Sequence, residues 1–303
     1  MATLREIRRR IRSVRNIAKV TRAMEMVAAA KMRRAQSRTL ATRPYAEKAW
    51  EVLVHLALQR TASEAMHPLL ASHPGECIGL VVVTSNKGLC GGYNHNVINL
   101  ACEFVEHAPM PVELITVGRV GRRAMLRAGC HIRAVFEDIP DLPGLMDITG
   151  ITRLITEDFL SGHFGEVYVV YTRFVNTMVQ VPEVARLLPL RALERSRSAV
   201  EAIQRAAEQP TLLEYVYEPS PGAILNALVP RFLEMQVYQI MLEASASEHS
   251  ARMVAMRNAT DSAGELIDAL TLTYNRARQE AITKEMVDIA GGAEALAKMR
   301  GRR

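Results

Sequence analysis

The segment Ser85-Asn86-Lys87-Gly88-Leu89-Cys90-Gly91-Gly92-Tyr93-Asn94 comes nearest to a chemical signature in this chain. Glycines let a backbone approach an anion closely, and a helix opening just after them offers free N–H groups to phosphate oxygens. The spacing stops short of that chemistry. Neither GxxxxGK[ST] nor GxGxxG is present, so the segment reads as a tight strand-to-helix turn, as does Gly118-Arg119-Val120-Gly121. The GxSxG elbow and the HExxH pair are also missing. His73 and Cys77 lie four residues apart, but no second ligand pair follows, so the spacing gives no zinc framework. Cys77, Cys90, Cys102 and Cys130 form no CxxC and read as reduced, partly buried thiols of a cytosolic protein. Glu248-His249 falls on a helical pattern and reads as a coiled-coil position. No catalytic residue, cofactor or metal is assigned.

Charge is unevenly spread. Residues 1–48 hold 14 Lys/Arg against Glu6, Glu25 and Glu47, a balance of +11, while the whole 303-residue chain carries +6. The basicity therefore belongs to the first segment and predicts an acidic partner or surface around it. The first thirty residues are arginine-rich without an uninterrupted apolar core, which argues against a secretory signal. The longest aliphatic run, residues 78–83, is far too short for a membrane span.

What must position these groups is helical at both ends. Thr3 and Glu6 form a capping-box pair. Leu4, Ile7, Ile11, Val14, Ala18, Thr21, Ala28 and Ala35 then recur at spacings of three and four, with Glu25 in the slot the seam would reach between Thr21 and Ala28. Met24 and Met26 flank that break, so this turn is expected to face something other than its helical partner. Pro44 is expected to kink or divide the helix. Ser220-Pro221 opens the second pattern. Beyond Pro230 a seam runs through Phe232, Met235, Leu242, Ala246, His249, Met253, Met256, Thr260, Ala263, Ile267, Leu270, Tyr274, Ala277 and Ala281. Some 60 residues of helix make a rod of roughly 90 Å. A helix apolar along one stripe needs a partner in water, and each terminal helix is the other's.

Residues 77–217 read as α/β, with strands expected at 78–84, 113–117, 132–136, 166–176 and 213–217 and helices at 95–106, 119–127 and 149–162. The expected fold is α/β plus a long antiparallel coiled coil. The terminal helices (1–60 and 220–300) pair, and a Rossmann-like α/β domain (76–218) is inserted between them.

Residues 7–11 (IRRRI), Lys19, residues 21–24 (TRAM), 27–36 (VAAAKMRRAQ), 246–256 (ASEHSARMVAM), 258–261 (NATD) and 282–285 (ITKE), with the GLCGG loop at 88–92, resemble the gamma subunit of F-type ATP synthases. The resemblance implies a non-catalytic rotor shaft. Its coiled coil would turn inside a threefold ring of alternating alpha and beta subunits, and its α/β body would contact the epsilon subunit and the membrane c-subunit ring. ATP would be made or split on that ring of subunits, and the chain would be peripheral at the cytoplasmic face of a bacterial plasma membrane, without a span of its own. Subunit contacts are expected at Arg8, Arg9, Arg10, Arg12, Met24, Glu25, Arg33, Arg34 and Arg252. The apolar residues Met286, Val287, Ile289 and Leu296 would form a bearing tip. Family members commonly carry lysine where Glu25 stands here. No cysteine follows Cys130, so the thiol switch of plant-type members is not expected. An alternative from charge alone is a basic coiled-coil protein that binds nucleic acid, which would show a steep fall of affinity with salt. Another is a nucleotide-binding enzyme using residues 88–92.

Overall fold

The structure, a computed structural model, describes residues 3–58, 67–190, 218 and 220–300. By its contacts the chain forms two compact units, Met1–Val27 with Met253–Arg303, and Ala28–Arg252. Two helices run through both: α1 (Leu4–Leu58) and α5 (Pro221–Arg300).

In the first unit the capping box forms as expected, with Thr3 N–H donating to the Glu6 carboxylate at 2.9 Å and Glu6 N–H to Thr3 Oγ1 at 3.3 Å. Arg8 Nη2 donates to the Tyr274 hydroxyl at 2.6 Å, and Thr21 Oγ1 meets Thr260 Oγ1 at 2.7 Å. Numbers rise along α1 as they fall along α5, so the helices are antiparallel. The steps of 13 and 14 residues between these contacts match in axial length at about 20 Å. Ile7, Ile11, Thr21, Met256 and Ala263 are buried along the seam.

The second unit is a sheet covered on both faces. Among the described residues its strands are β1 (Cys77–Val83), β2 (Val112–Val117), β3 (Ile132–Phe136), β4 (Phe164–Phe174) and β5 (Gln180–Leu188), in the order β3-β2-β1-β4-β5. The first four are parallel; β5 runs antiparallel to β4. Alternate residues point to opposite faces. Val81, Val83, Ile115, Val117, Val167 and Val169 thus join α4 (Leu145–Leu160), Ala49 and Leu53 of α1, and Leu225–Ala244 of α5 in one core. Leu80, Val82, Leu114 and Val170 join Val97 and Ala101 of α2 (Tyr93–His107) and Met125 of α3 (Arg119–Arg127) in the other. Each fully buried Leu, Ile or Phe contributes about 2 kcal/mol.

At two prolines and one strand the structure goes beyond the sequence pattern. Helix α1 is not divided at Pro44 but runs through it; threonine hydroxyls donate to carbonyls in the preceding turn, Thr39 to Ala35 and Thr42 to Thr39, an arrangement that accommodates bending. Helix α5 also holds a proline, Pro230, within its length. Strand β5 was not anticipated, because Pro182, Glu183 and Arg186 dilute its apolar signal; an edge strand tolerates all three. The expected strand at 213–217 lies outside the described residues.

The end of β1 packs on the start of α3 with no room to spare. Gly118 has φ 92°, and a Cβ there would sit 2.3 Å from the Thr84 carbonyl oxygen. Gly129 has φ 76° with open space around it. Gly118→Ala is therefore expected to cost about 2–4 kcal/mol through strain plus overpacking, and Gly129→Ala about 1 kcal/mol through strain alone. Urea unfolding of both variants checks this; equal losses would show that the close approach at Thr84 does not matter.

Candidate functional site

At the carboxyl ends of the parallel strands, where α/β folds bind ligands, the crevice is occupied by the chain itself. Met241, Ala244, Ser245 and Glu248 of α5 line it together with Thr84, Asn86, Gly118, Phe136 and Asp141. What remains is a cleft of about 40 Å³, whereas small-molecule sites need about 300 Å³ or more.

The glycine loop spends its polar groups internally. Ser85 N–H donates to Asn94 Oδ1 at 3.0 Å, Ser85 Oγ donates to the Lys87 carbonyl at 2.6 Å, and Asn94 Nδ2 donates to Ser85 Oγ at 2.7 Å. Asn86 Oδ1 accepts from Arg119 N–H at 3.1 Å. Leu89 holds φ 64° and is exposed. The loop is then strapped to α5: Arg252 Nη2 donates to the Lys87 and Gly88 carbonyls at 3.2 and 3.4 Å. The same guanidinium pairs with Glu248 at 2.7 Å and donates to His249 Nδ1 at 3.2 Å.

A row of serines on α5 fastens the rest. Ser247 Oγ donates to the Thr172 carbonyl at 2.9 Å, Ser250 Oγ to the Thr177 carbonyl at 2.9 Å, and Ser245 Oγ to the Asp141 carbonyl. The segment carrying Asp141 is also gripped from α1, by Lys31 Nζ on the Asp141 carboxylate at 2.5 Å and by Arg38 on the Pro143 carbonyl at 3.4 Å. Lys31 holds the Asp141 carboxyl below its ordinary range. Burial, only partly opposed by Arg252, raises that of Glu248. Desolvation and then Arg252 lower His249 to about 4, so it is neutral at pH 7.

The anticipated contact residues fall into distinct groups. Arg9, Arg10, Arg12, Arg33 and Arg34 are exposed. Arg8 is exposed but rests over the Tyr274 ring, 5.4 Å from its centroid. Arg252 is mostly covered and fully engaged within the second unit. Met24 and Glu25 are half-buried, Glu25 standing in the seam slot its spacing gave it. Met286, Val287 and Ile289 are exposed at 58, 63 and 68%, and every residue from Arg278 to Ala293 is exposed. The side chain of Leu296 lies outside the described residues. Sequence reasoning missed the serine row and its partners Asp141, Thr172 and Thr177. The pattern Ser245-x-Ser247-x-x-Ser250 was the available signal. Among the described residues no helix is long and apolar enough to cross a membrane.

The family model described as ATP synthase matches residues 3–296. A protein named ATP synthase gamma chain from Dehalococcoides mccartyi is 49% identical over 98% of this chain and 100% of its own. One of the same name from Roseiflexus castenholzii is 48% identical over 99% of this chain and 100% of its own. In solved structures, a rotor chain of the Euglena gracilis mitochondrial ATP synthase aligns with a TM-score of 0.62 at 20% identity, covering 92% of this chain and 98% of that one. A central stalk/c-ring structure of the Tetrahymena thermophila enzyme gives a TM-score of 0.57 at 23% identity, covering 79% of this chain and 99% of that one.

The buried His249 has a pH consequence. The unfolded chain takes up a proton near pH 6.5, whereas the folded one resists until about 4. Stability is thus fully present above pH 6.5 and is lost as pH falls toward 4, by about 3 kcal/mol in all. Lys31 and Arg252 reinforce this resistance, Asp141 opposes it, and the raised Glu248 gives a slope of opposite sign at the acid end of the window. In His249→Gln the loss of stability between pH 6.5 and 5 is expected to flatten in urea titrations; an unchanged slope would assign it to other groups.

Proposed function

Since this chain belongs to the ATP synthase gamma chain family, we propose that it is the central rotor shaft of a proton-translocating F-type ATP synthase. It performs no chemistry itself and couples rotation of a membrane c-subunit ring to conformational change at three catalytic beta subunits, alternating with three alpha subunits. The epsilon subunit and the c ring contact its α/β body. The observation that carries this reading is the antiparallel pairing of α1 with α5, past which α5 continues alone as an exposed helix. The filled crevice and the internally bonded glycine loop support the absence of a nucleotide site on this chain.

A shaft without threefold symmetry offers a different face to each of three identical neighbours. Differences in contact free energy then bias those neighbours toward different states. Contacts of this kind must be remade at every step. Exposed cations serve well because they attract over several ångströms without settling into one packed minimum. Arg9, Arg10, Arg12, Arg33 and Arg34 are the residues we assign to that task. Arg8 and Arg252, bonded within the chain, hold the contacting surface in shape, and Met24 and Glu25 form a local break in the seam that faces a subunit. Met286, Val287 and Ile289, continued by Leu296, are the bearing tip inside an apolar collar. The complex would sit at the cytoplasmic face of a bacterial plasma membrane, with this chain peripheral to the bilayer.

The purified chain is expected to hydrolyse no ATP yet to restore proton-coupled activity to a complex assembled from the remaining subunits. Reconstitution without restored coupling would overturn the shaft reading. Deleting Glu285–Arg303 is expected to leave the α/β body folded, by circular dichroism and urea unfolding, while lowering torque or assembly. Undiminished coupling in that deletion would remove the bearing role from the tip.

A further inference from the structure

The opposite edge of the sheet, where the parallel strands begin, gathers a set of metal-ligand groups that the shaft function does not use. Cys77 opens β1, Glu113 is the second residue of β2, and His163 immediately precedes β4. These residues are far apart in sequence, but β1 pairs with both β2 and β4, which brings them to one point. Cys77 Sγ lies 3.6 Å from His163 Nε2, which lies 3.0 Å from Glu113 Oε2, and all the ligand atoms fall within 4.8 Å of one another. A tetrahedral zinc ion with bonds of about 2.0–2.3 Å sets its ligand atoms roughly 3.3–3.8 Å apart. The geometry points to a zinc site formed by Cys77, His163 and Glu113, with a fourth position open to water or to His131.

Three further observations support the assignment. The platform is rigid, because the His163 carbonyl accepts from both Glu76 N–H and Cys77 N–H, at 3.2 and 3.1 Å. The His163 ring is oriented as metal-bound imidazoles are. Its Nδ1 faces the Glu76 carboxylate at 3.5 Å, which leaves Nε2 for the ion. The site is accessible without being open, since Cys77 is buried while the side chains of Glu113 and His163 are 18 and 26% exposed.

The donor set selects the ion. Thiolate and imidazole favour zinc and its softer neighbours over magnesium or calcium, which prefer oxygen alone. One thiolate and one carboxylate balance the two positive charges. Arg133 Nη1 also approaches Glu113 Oε2, at 3.4 Å, but this guanidinium is anchored on Asp158 by bonds of 2.6 and 2.7 Å and can yield that oxygen without losing its main partner. His131 Nδ1 stands 3.5 Å from Glu113 Oε1. Loading releases the Cys77 thiol proton and any proton on His163. Because those protons must leave, affinity climbs with pH. A bound ion would cross-link the starts of β1, β2 and β4.

The test uses the full chain, stripped with chelator and dialysed, then titrated with zinc against a chromophoric competitor and separately with cobalt(II). The expected result is one ion per chain, a near-ultraviolet thiolate-to-cobalt absorption, and a higher melting temperature with zinc. Cys77→Ser is expected to abolish the cobalt band. His163→Gln, at a partly exposed position that tolerates the change, is expected to weaken zinc binding more than roughly 100-fold, and Glu76→Gln about 10-fold. Cys130→Ser is the control and retains the band. Absence of the thiolate-to-cobalt band in the parent chain would overturn the proposal and leave the cluster a network of hydrogen bonds and ion pairs. So would zinc affinity unchanged in folded His163→Gln.

Discussion

The dehydration of α5 between Phe232 and Ser250 is the constraint on which the second unit depends. Phe232, Leu233, Val237, Ile240, Met241, Leu242 and Ala244 are buried in the larger of the two cores, and Ser247, His249 and Ser250 are almost wholly removed from water. A buried hydroxyl without a partner costs more than the bond it would have made. Each serine therefore commits a particular carbonyl, two of them in the β4–β5 hairpin and one in the loop that carries Asp141. One helix thus supplies apolar area and sets the positions of the loops around it. Its seat at the carboxyl ends of the strands is also why an α/β sheet of nucleotide-binding type keeps almost no cavity there.

Electrostatics divide the same way. Cations that meet an internal partner are parts of the scaffold: Lys31 on Asp141, Arg252 on Glu248 and the loop carbonyls, Arg133 on Asp158. The arginines of α1 at positions 9, 10, 12, 33 and 34 face solvent, where a single ion pair contributes little to stability. Their cost and benefit therefore lie outside this chain's own folding, which is what a contact surface requires.

The seams were legible because helix period and burial are one signal. Ile7, Ile11, Thr21, Ala28 and Ala35 are buried where spacing put them, and Met32, omitted from the predicted stripe, completes the same heptad. Strands β1 to β4 were legible as apolar runs to within a few residues. Strand β5 was not, since an edge strand has one side free to carry polar residues. The fate of the glycine loop was half legible: its spacing argued against phosphate, but nothing local foretold that Arg252, more than 160 residues away, would close it. The Cys77–Glu113–His163 cluster was invisible for a stronger reason. Its members sit on separate strand starts, and the sequence neighbour His73 instead bonds the Phe159 carbonyl and packs against that ring.

The hydroxyl pair Thr21–Thr260 sits where most coiled coils would place two aliphatic side chains. Each hydroxyl also lies within bonding distance of a carbonyl of its own helix, Thr21 of Ala18 and Thr260 of Met256; with two protons for three contacts, one hydroxyl donates across the seam to the other, which donates to its own helix. Sliding one helix past the other by seven residues would set each hydroxyl against hydrocarbon. That single layer acts as a ruler, fixing how far the carboxyl-terminal helix protrudes past the amino terminus of its companion.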